Sequence, residues 1–451
     1  MNNTILNYDG GISTSPKQVS YPETVGEIQA ILQDTRKYPS PVRAMGSYHS
    51  LTPCASSDGT IINMSRMNRV VKIDPKSLTF TAQAGLQVID ASLALQTQNL
   101  QLMTNIEIGN MTLGAAACCH TKDGLDGKPL GQVSSHVVEI KWVDPNGQLR
   151  QVDTSNTSLL SMVRSSYGLC GVVYEATFSI KPLQAIQLTY LPRTISRLMQ
   201  NEVDSIINDS EGLVCWTVGR TANFQRKEPV AKVGPFGSWF AAGRRRIWNH
   251  TVAHLGRLID VYVPSRLLRS AALAGFNAGI EVLYYGLHFT GGHTLMNPDK
   301  IVDYRSTPAS SKYAFTFWAF PRAQWLDALR EYLEFADKHY EKYGFRCNMP
   351  LGSYYIRKDS SSILSYSYDG DVISIDPIHA YSDKGAWDRF LQDFNEFASK
   401  RKGIPLLNQS PHVTKDQVQA AYGARWHQFS QWAQQQDPMG RMLNPFFKAL
   451  L

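Results

Sequence analysis

The stretch from Pro41 to Gly59, PVRAMGSYHSLTPCASSDG, constrains the chain more than any other. It reads as a buried strand, a tight polar loop Gly46–Ser47–Tyr48–His49–Ser50, and a turn into a second strand, Thr60–Ile61–Ile62–Asn63. A loop of small residues at a strand end aligns successive backbone N–H groups, and such a nest holds phosphate or pyrophosphate. Gly46 permits a close approach that a Cβ would block. The same residues also suit an ordinary strand-to-loop turn with a surface histidine.

With 451 residues the chain exceeds one hydrophobic core, so two domains are expected. The 43% hydrophobic and 18% charged residues are an ordinary globular composition. A net charge of +7 is mild: it suits an anionic cofactor or substrate and does not argue for nucleic acid. The start, MNNTILNYDGGISTS, lacks a secretory pattern, and no apolar run is long enough to span a bilayer. Cysteines 54, 118, 119, 170, 215 and 347 show neither CxxC pairing nor metal spacing. They read as reduced thiols of a cytoplasmic protein without a metal site.

Apolar spacing at Val25, Ile28, Ile31 and Leu32, behind Thr24 and Glu27, predicts a helix opened by a capping box. Residues 69–84 read as paired strands, and Val88 to about Asn99 as a helix. Small residues from Gly114 to Ala117 suit a tightly packed helix start. Pro145–Asn146–Gly147 reads as a hairpin turn, and Tyr174–Ile180 as a strand. Leu213–Thr217, Glu281–Leu287 and Ala314–Phe320 read as strands, and Pro321–Tyr340 as an amphipathic helix. The basic stretch 244–269 carries apolar residues at Ile247, Val252, Leu255, Leu258 and Ile259. It is either a solvated helix face or a contact for a membrane surface or an anionic substrate.

Four segments together resemble a known family: Gly46-x-x-His49–Ser50 with Asp58–Gly59 and Met67–Asn68–Arg69–Val70; Thr112, Gly114 and Ala115, with His120 matching loosely; Gly168, Gly171 and Val172; and Asp437–Pro438–Met439–Gly440–Arg441–Met442–Leu443–Asn444. They resemble the flavin segments of the vanillyl-alcohol-oxidase (PCMH-type) FAD-binding family, most of all the aldonolactone and alditol oxidases. The resemblance implies an α+β fold. A two-part FAD-binding domain (1–182, completed by 411–451) would carry an inserted cap of antiparallel sheet and helices (183–410). It implies FAD joined covalently to His49 through the flavin 8α-methyl, with Ala44, Met45, Gly46, Ser47, Tyr48 and Ser50 around it. Thr112, Gly114, Ala115, Cys118 and His120 would face the diphosphate and the dimethylbenzene edge. Gly168, Gly171 and Val172 would meet the pyrimidine and ribityl parts, and Asn444 would return to the flavin domain.

The pattern breaks where sugar-oxidising members hold their substrate. Ser353 and Tyr355 fall where a Glu-x-Arg pair is usual, while Pro411–His412–Val413–Thr414–Lys415 keeps part of a second motif. Tyr355, Lys415, His412 and Tyr354 are therefore the expected catalytic residues, with Gln409 and His379 behind them. The reading is an FAD-dependent oxidoreductase. It would take hydride from a C–H next to oxygen or nitrogen, or desaturate a C–C bond, in a relatively apolar or aromatic small molecule, and pass electrons to O2 or another acceptor. A sugar-lactone, alditol or lipid-linked-sugar oxidase is the alternative. From another class, a non-catalytic flavin- or nucleic-acid-binding module rests on the basic stretch alone. Oligomeric state and the exact substrate are open.

Overall fold

A computed structural model describes residues 4–121, 131–380 and 383–451. A small parallel sheet places Thr60–Asn63 between Gln18–Ser20 and Val42–Met45. Helix Val25–Gln33 joins the outer two strands and buries Ile28, Ile31 and Leu32. Its start differs from a reciprocal box by one residue: Glu27 N donates to Thr24 Oγ1, but Glu27 Oε2 accepts from Glu23 N. Beside it an antiparallel sheet runs in the order Leu149–Asp153, Val137–Val143, Val172–Pro182, Thr79–Gln83, Val70–Asp74. Its hairpin turns where Gly147 takes φ +80° and Asp144 accepts from Asn146 N and Gln148 N. The helix after the paired strands is Val88–Gln96.

The cap is an eight-stranded sheet with antiparallel neighbours: His293–Met296, Ala185–Thr194, Thr221–Val230, Gly212–Val218, Leu351–Ile356, Val372–Ile375, Trp318–Pro321, Ile404–Pro405. Helices Trp325–Tyr343 and Lys384–Lys400 cover one face, burying Trp325, Leu329, Phe390 and Phe394. The other face turns toward His49, Glu107 and Met111 of the N-terminal part. Strand alternation therefore sorts the side chains: Tyr190, Gln225, Trp216 and Tyr354 stand on the cleft side, and Phe224 and Tyr355 on the helix side.

Two strand expectations give way. Glu281–Leu287 lies in the helix Arg266–Phe289, because Ile280, Leu283, Tyr284 and Leu287 recur at helical spacing and line one cavity. Ala314–Phe320 splits into Ala314–Phe315 and Trp318–Pro321, which pair with different strands. The basic stretch is helical, as Gly237–Ile247, a π-turn Trp248–Val252, and Ala253–Tyr262.

The C-terminal segment returns to the N-terminal parallel sheet and its helix. Arg441 donates to the carbonyls of Ile31, Leu32 and Tyr38, and Val42 N donates to Arg441 O at 2.8 Å. Among the described residues no helix is long and apolar enough to cross a membrane, and no group of side chains could hold a metal. All six cysteines are free.

Candidate active site

The loop after Val42–Met45, the short helix Leu113–Cys118 and the loop leading into Val172–Pro182 converge on one cleft. Ala44, Met45, Gly46, Ser47, Tyr48, His49, Ser50, Thr112, Gly114, Ala115, Cys118, Gly168 and Gly171 line it. The glycines let the segments touch. A Cβ on Gly46 would strike the Thr112 side chain, and one on Gly114 would sit 2.7 Å from Ala84 Cβ. Gly171 has φ +132°, a conformation closed to ordinary residues. Tyr48 takes φ +49°, costly for a bulky residue, and is held by Tyr8 N donating to its carbonyl at 2.9 Å. That twist sets the direction of the next side chain, His49.

Three expected cofactor residues do not reach the cleft. Val172 is fully buried behind it, and Val173 lines it instead, because neighbours on a strand face opposite ways. His120 is sealed in the core between Gln132 Oε1 (2.7 Å) and Ser165 Oγ (3.2 Å), and burial lowers its pKa to about 4. Asn444 works from behind: its Nδ2 donates to Pro53, Cys54 and Ser56 carbonyls, and its Oδ1 caps Phe447 N.

Sequence reasoning missed Arg43. Its buried guanidinium donates to the carbonyls of Cys54 (3.1 Å), Gly168 (3.3 Å), Met442 (3.0 Å) and Tyr167, so it stitches three cofactor segments together while lining the cleft. A lone arginine inside the apolar strand VRAM was the available signal. Cys119, beside Cys118, also lines the cleft.

His49 lines both this cleft and a second, smaller cavity beneath the cap sheet. Its ring stacks on Tyr8 at 4.1 Å and meets the edge of Tyr304 at 5.3 Å. Nδ1 is buried with no hydrogen-bond partner. Burial pushes the His49 pKa down to about 3, against a raising contribution from Asn110 and helped by Lys312, so the imidazole is neutral.

The second cavity is polar at its wall. Trp248 Nε1 donates to Tyr313 Oη (3.1 Å), the Tyr304 and Tyr313 hydroxyls are 2.7 Å apart, and Tyr354 Oη donates to Glu107 Oε2 (3.2 Å). Arg244 stands 4.0 Å from the other Glu107 oxygen. Burial raises the pKa of Tyr304 well above the usual value and that of Tyr313 to about 12, so both stay protonated. The Glu107 backbone is anchored by Val302 N donating to its carbonyl at 2.9 Å.

Of the four expected catalytic residues only Tyr354 reaches this cavity. Tyr355 points to the helix side, donating to Asp371 Oδ2 at 2.6 Å. Lys415 opens a surface helix and donates to the Leu451 carbonyl, and His412 pairs at the surface with Asp388 at 3.0 Å. The capping box of Thr414 and Gln417 starts that helix and turns the whole motif outward. His379 lies near Asp260, away from the cleft, whereas Gln409 borders both cavities. The same alternation moves the cleft-facing positions of Leu351–Ile356 to Gly352 and Tyr354. An acid and a cation are nevertheless present, supplied by Glu107 from the flavin domain and Arg244 from helix Gly237–Ile247.

Residues 16–153 match the family described as FAD binding domain, and residues 280–450 match D-arabinono-1,4-lactone oxidase. L-gulonolactone oxidase of Scyliorhinus torazame is 22% identical over 97% of this chain and 95% of its own. The Bos taurus enzyme of that name is 25% identical, covering 96% and 94%. D-arabinono-1,4-lactone oxidase of Saccharomyces cerevisiae is 22% identical over 58% of this chain and 51% of its own. Cholesterol oxidase from B. sterolicum superposes with TM-score 0.73 over 100% of this chain and 97% of that one, at 14% identity, which speaks to the fold alone. The chain has the FAD-binding fold of the vanillyl-alcohol-oxidase class and is an FAD-dependent oxidoreductase. Within that class it is similar to the aldonolactone oxidases. The cleft suits FAD: its segments approach too closely for side chains at Gly46 and Gly114, and the ring of His49 offers an unpartnered nitrogen.

Proposed function

We propose that the chain oxidises a hydroxyl-bearing carbon of a small oxygen-rich molecule of the sugar-lactone or alditol kind, with FAD joined to His49. The relatives' names carry lactone substrates, and this displaces a wholly apolar substrate as the first choice. The single carrying observation is the position of His49 at the junction of the flavin cleft with a cavity walled by hydroxyls and one carboxylate. Bound FAD supplies the hydride acceptor, and O2 or another oxidant takes the electrons onward. The chain's part is orientation and proton handling. Glu107 accepts the proton of the substrate hydroxyl, Arg244 stands beside that carboxylate, and Tyr354 aims it. The phenols of Tyr304 and Tyr313 hydrogen-bond neighbouring substrate oxygens, and the aromatic walls exclude water.

An acid-denatured gel of wild type beside His49→Ala tests the attachment. Flavin fluorescence should migrate with the wild-type chain and vanish from the variant. Flavin that washes out of the wild type overturns the covalent bond. Glu107→Gln should retain FAD yet lose about 100-fold or more in kcat/KM on lactones and alditols; unchanged turnover sinks the proton-acceptor role.

A further inference from the structure

Beyond the polar cavity the structure continues into a third space of about 280 Å³. Glu107, Trp216 and Trp248 border both, so the two meet at the carboxylate. The walls change character there. Trp239, Phe240, Ile247, Ile280, Leu283 and Leu287 dominate, with Tyr190, Tyr284 and Gln225 set among them. At the inner end stands the Glu107–Arg244 pair, and at the outer end the exposed indole of Trp239.

The elements that roof this space have an unusual outer surface. Helix Arg266–Phe289 is 24 residues long, yet Leu273 is its one buried residue. Its inner side lines the cavity. Its outer stripe, Leu267, Ala271, Ala274, Ala278, Val282 and Phe289, recurs at helical spacing, is exposed throughout and carries no charge. Leu267 is 79% and Phe289 81% exposed, and Phe236, Trp239 and Tyr262 on the neighbouring helices exceed 70%. A soluble monomer rarely leaves so continuous an apolar face in water. Of the six arginines in residues 237–289, Arg244 and Arg245 line the cavity, and Arg246, Arg257, Arg266 and Arg269 lie outside it against one aspartate and one glutamate. An apolar face with a cationic fringe matches an anionic lipid surface, where rings and leucines enter the interface and guanidinium groups meet headgroups.

We propose that these helices rest on an anionic lipid surface and that the cavity beneath them admits the apolar tail of an amphiphilic substrate, whose hydroxyl-bearing head reaches the flavin. The proposal rests on the reading of the Glu107 cavity as the head site. It adds the tail, and it reconciles polar chemistry at the flavin with apolar walls further out. Entry from the lipid phase spares the tail a passage through water.

Binding alone tests it, without turnover. Holoprotein is sedimented with phosphatidylcholine vesicles with and without phosphatidylserine. Tryptophan fluorescence of Trp216, Trp239 and Trp248 is titrated with glucose and with hexyl, octyl and decyl β-glucosides below micelle formation. The proposal expects sedimentation with the phosphatidylserine vesicles, loosened by salt and lost in the Leu267→Glu/Phe289→Glu double variant. It also expects glucoside affinity to rise about fourfold per added methylene. In Gly243→Leu, whose added side chain projects into open space at the cavity wall, that chain-length dependence should disappear. Failure to bind vesicles, or affinity indifferent to chain length, overturns it. So does a double variant that turns a dimer into a monomer, since a second copy would then cover the face. A lack of turnover on lactones and alditols would sink the oxidation reading while leaving these binding results to stand or fall alone.

Discussion

His49 shows how burial tunes a single side chain. An imidazole in water is half protonated near pH 6.5, and a protonated ring cannot attack an electrophile. Lodged between Tyr8 and Tyr304, it is held near 3. Incorporation of FAD into apoprotein should therefore be flat between about pH 5 and 8, read as chain-bound fluorescence; a rise centred near 6.5 would mean the ring is exposed to solvent. Gly46 acts through absence of a side chain. Gly46→Ala drives a methyl into Thr112, so flavin content and melting temperature should both fall, measured by absorbance and calorimetry. Arg43 combines both lessons. Arg43→Leu leaves four carbonyls without their donor and should cost about 3 kcal/mol in denaturant unfolding, along with loss of flavin.

At the level of elements, the C-terminal segment closes the flavin domain by capping rather than by lining the cleft. Asn444 combines the N-cap of helix Pro445–Leu450 with three bonds to the loop Pro53–Ser56. Asn444→Ala should cost about 2–4 kcal/mol and weaken FAD retention without altering the kcat of flavin-loaded enzyme. A kcat loss at full flavin content would place the side chain in the chemistry instead. The strand Leu351–Ile356 decided which candidates could act. Its pleat sends Tyr354 to Glu107 and Tyr355 to Asp371, a choice that turns on one residue of register. Glu281–Leu287 illustrates the converse: valine and tyrosines suggest a strand, but packing of every third or fourth residue onto the cavity makes it a helix.

Across the whole molecule, several histidines are buried and neutral. The pKa values of His49, His293 and His379 are held near 3 and that of His120 near 4, all chiefly by burial. Each lies below its unfolded value, so below about pH 6.5 the unfolded chain binds protons that the folded chain refuses. Their contribution to stability is complete above that pH and is lost as pH falls toward 3–4. Melting temperature by calorimetry should drop steadily over that window; a profile flat to pH 4 would contradict the burial of these rings.

The sequence by itself determined the flavin frame. Close glycines, the Gly-x-x-His-Ser loop and the Asp-Pro-x-Gly-Arg terminus are local requirements of backbone geometry, and local requirements are written in adjacent residues. Only the tertiary structure decided the substrate side. Glu107 and Arg244 come from separate elements and meet only when the cap closes over the flavin domain, and the pleat that admits Tyr354 while turning Tyr355 away is set by the neighbouring strand. Lys415 and His412 kept their places in a motif but lost the cleft, because a capped helix carries them to the surface. The apolar roof belongs to the same class. Apolar spacing in 244–269 marks a helix, but which side is covered depends on what packs beneath it.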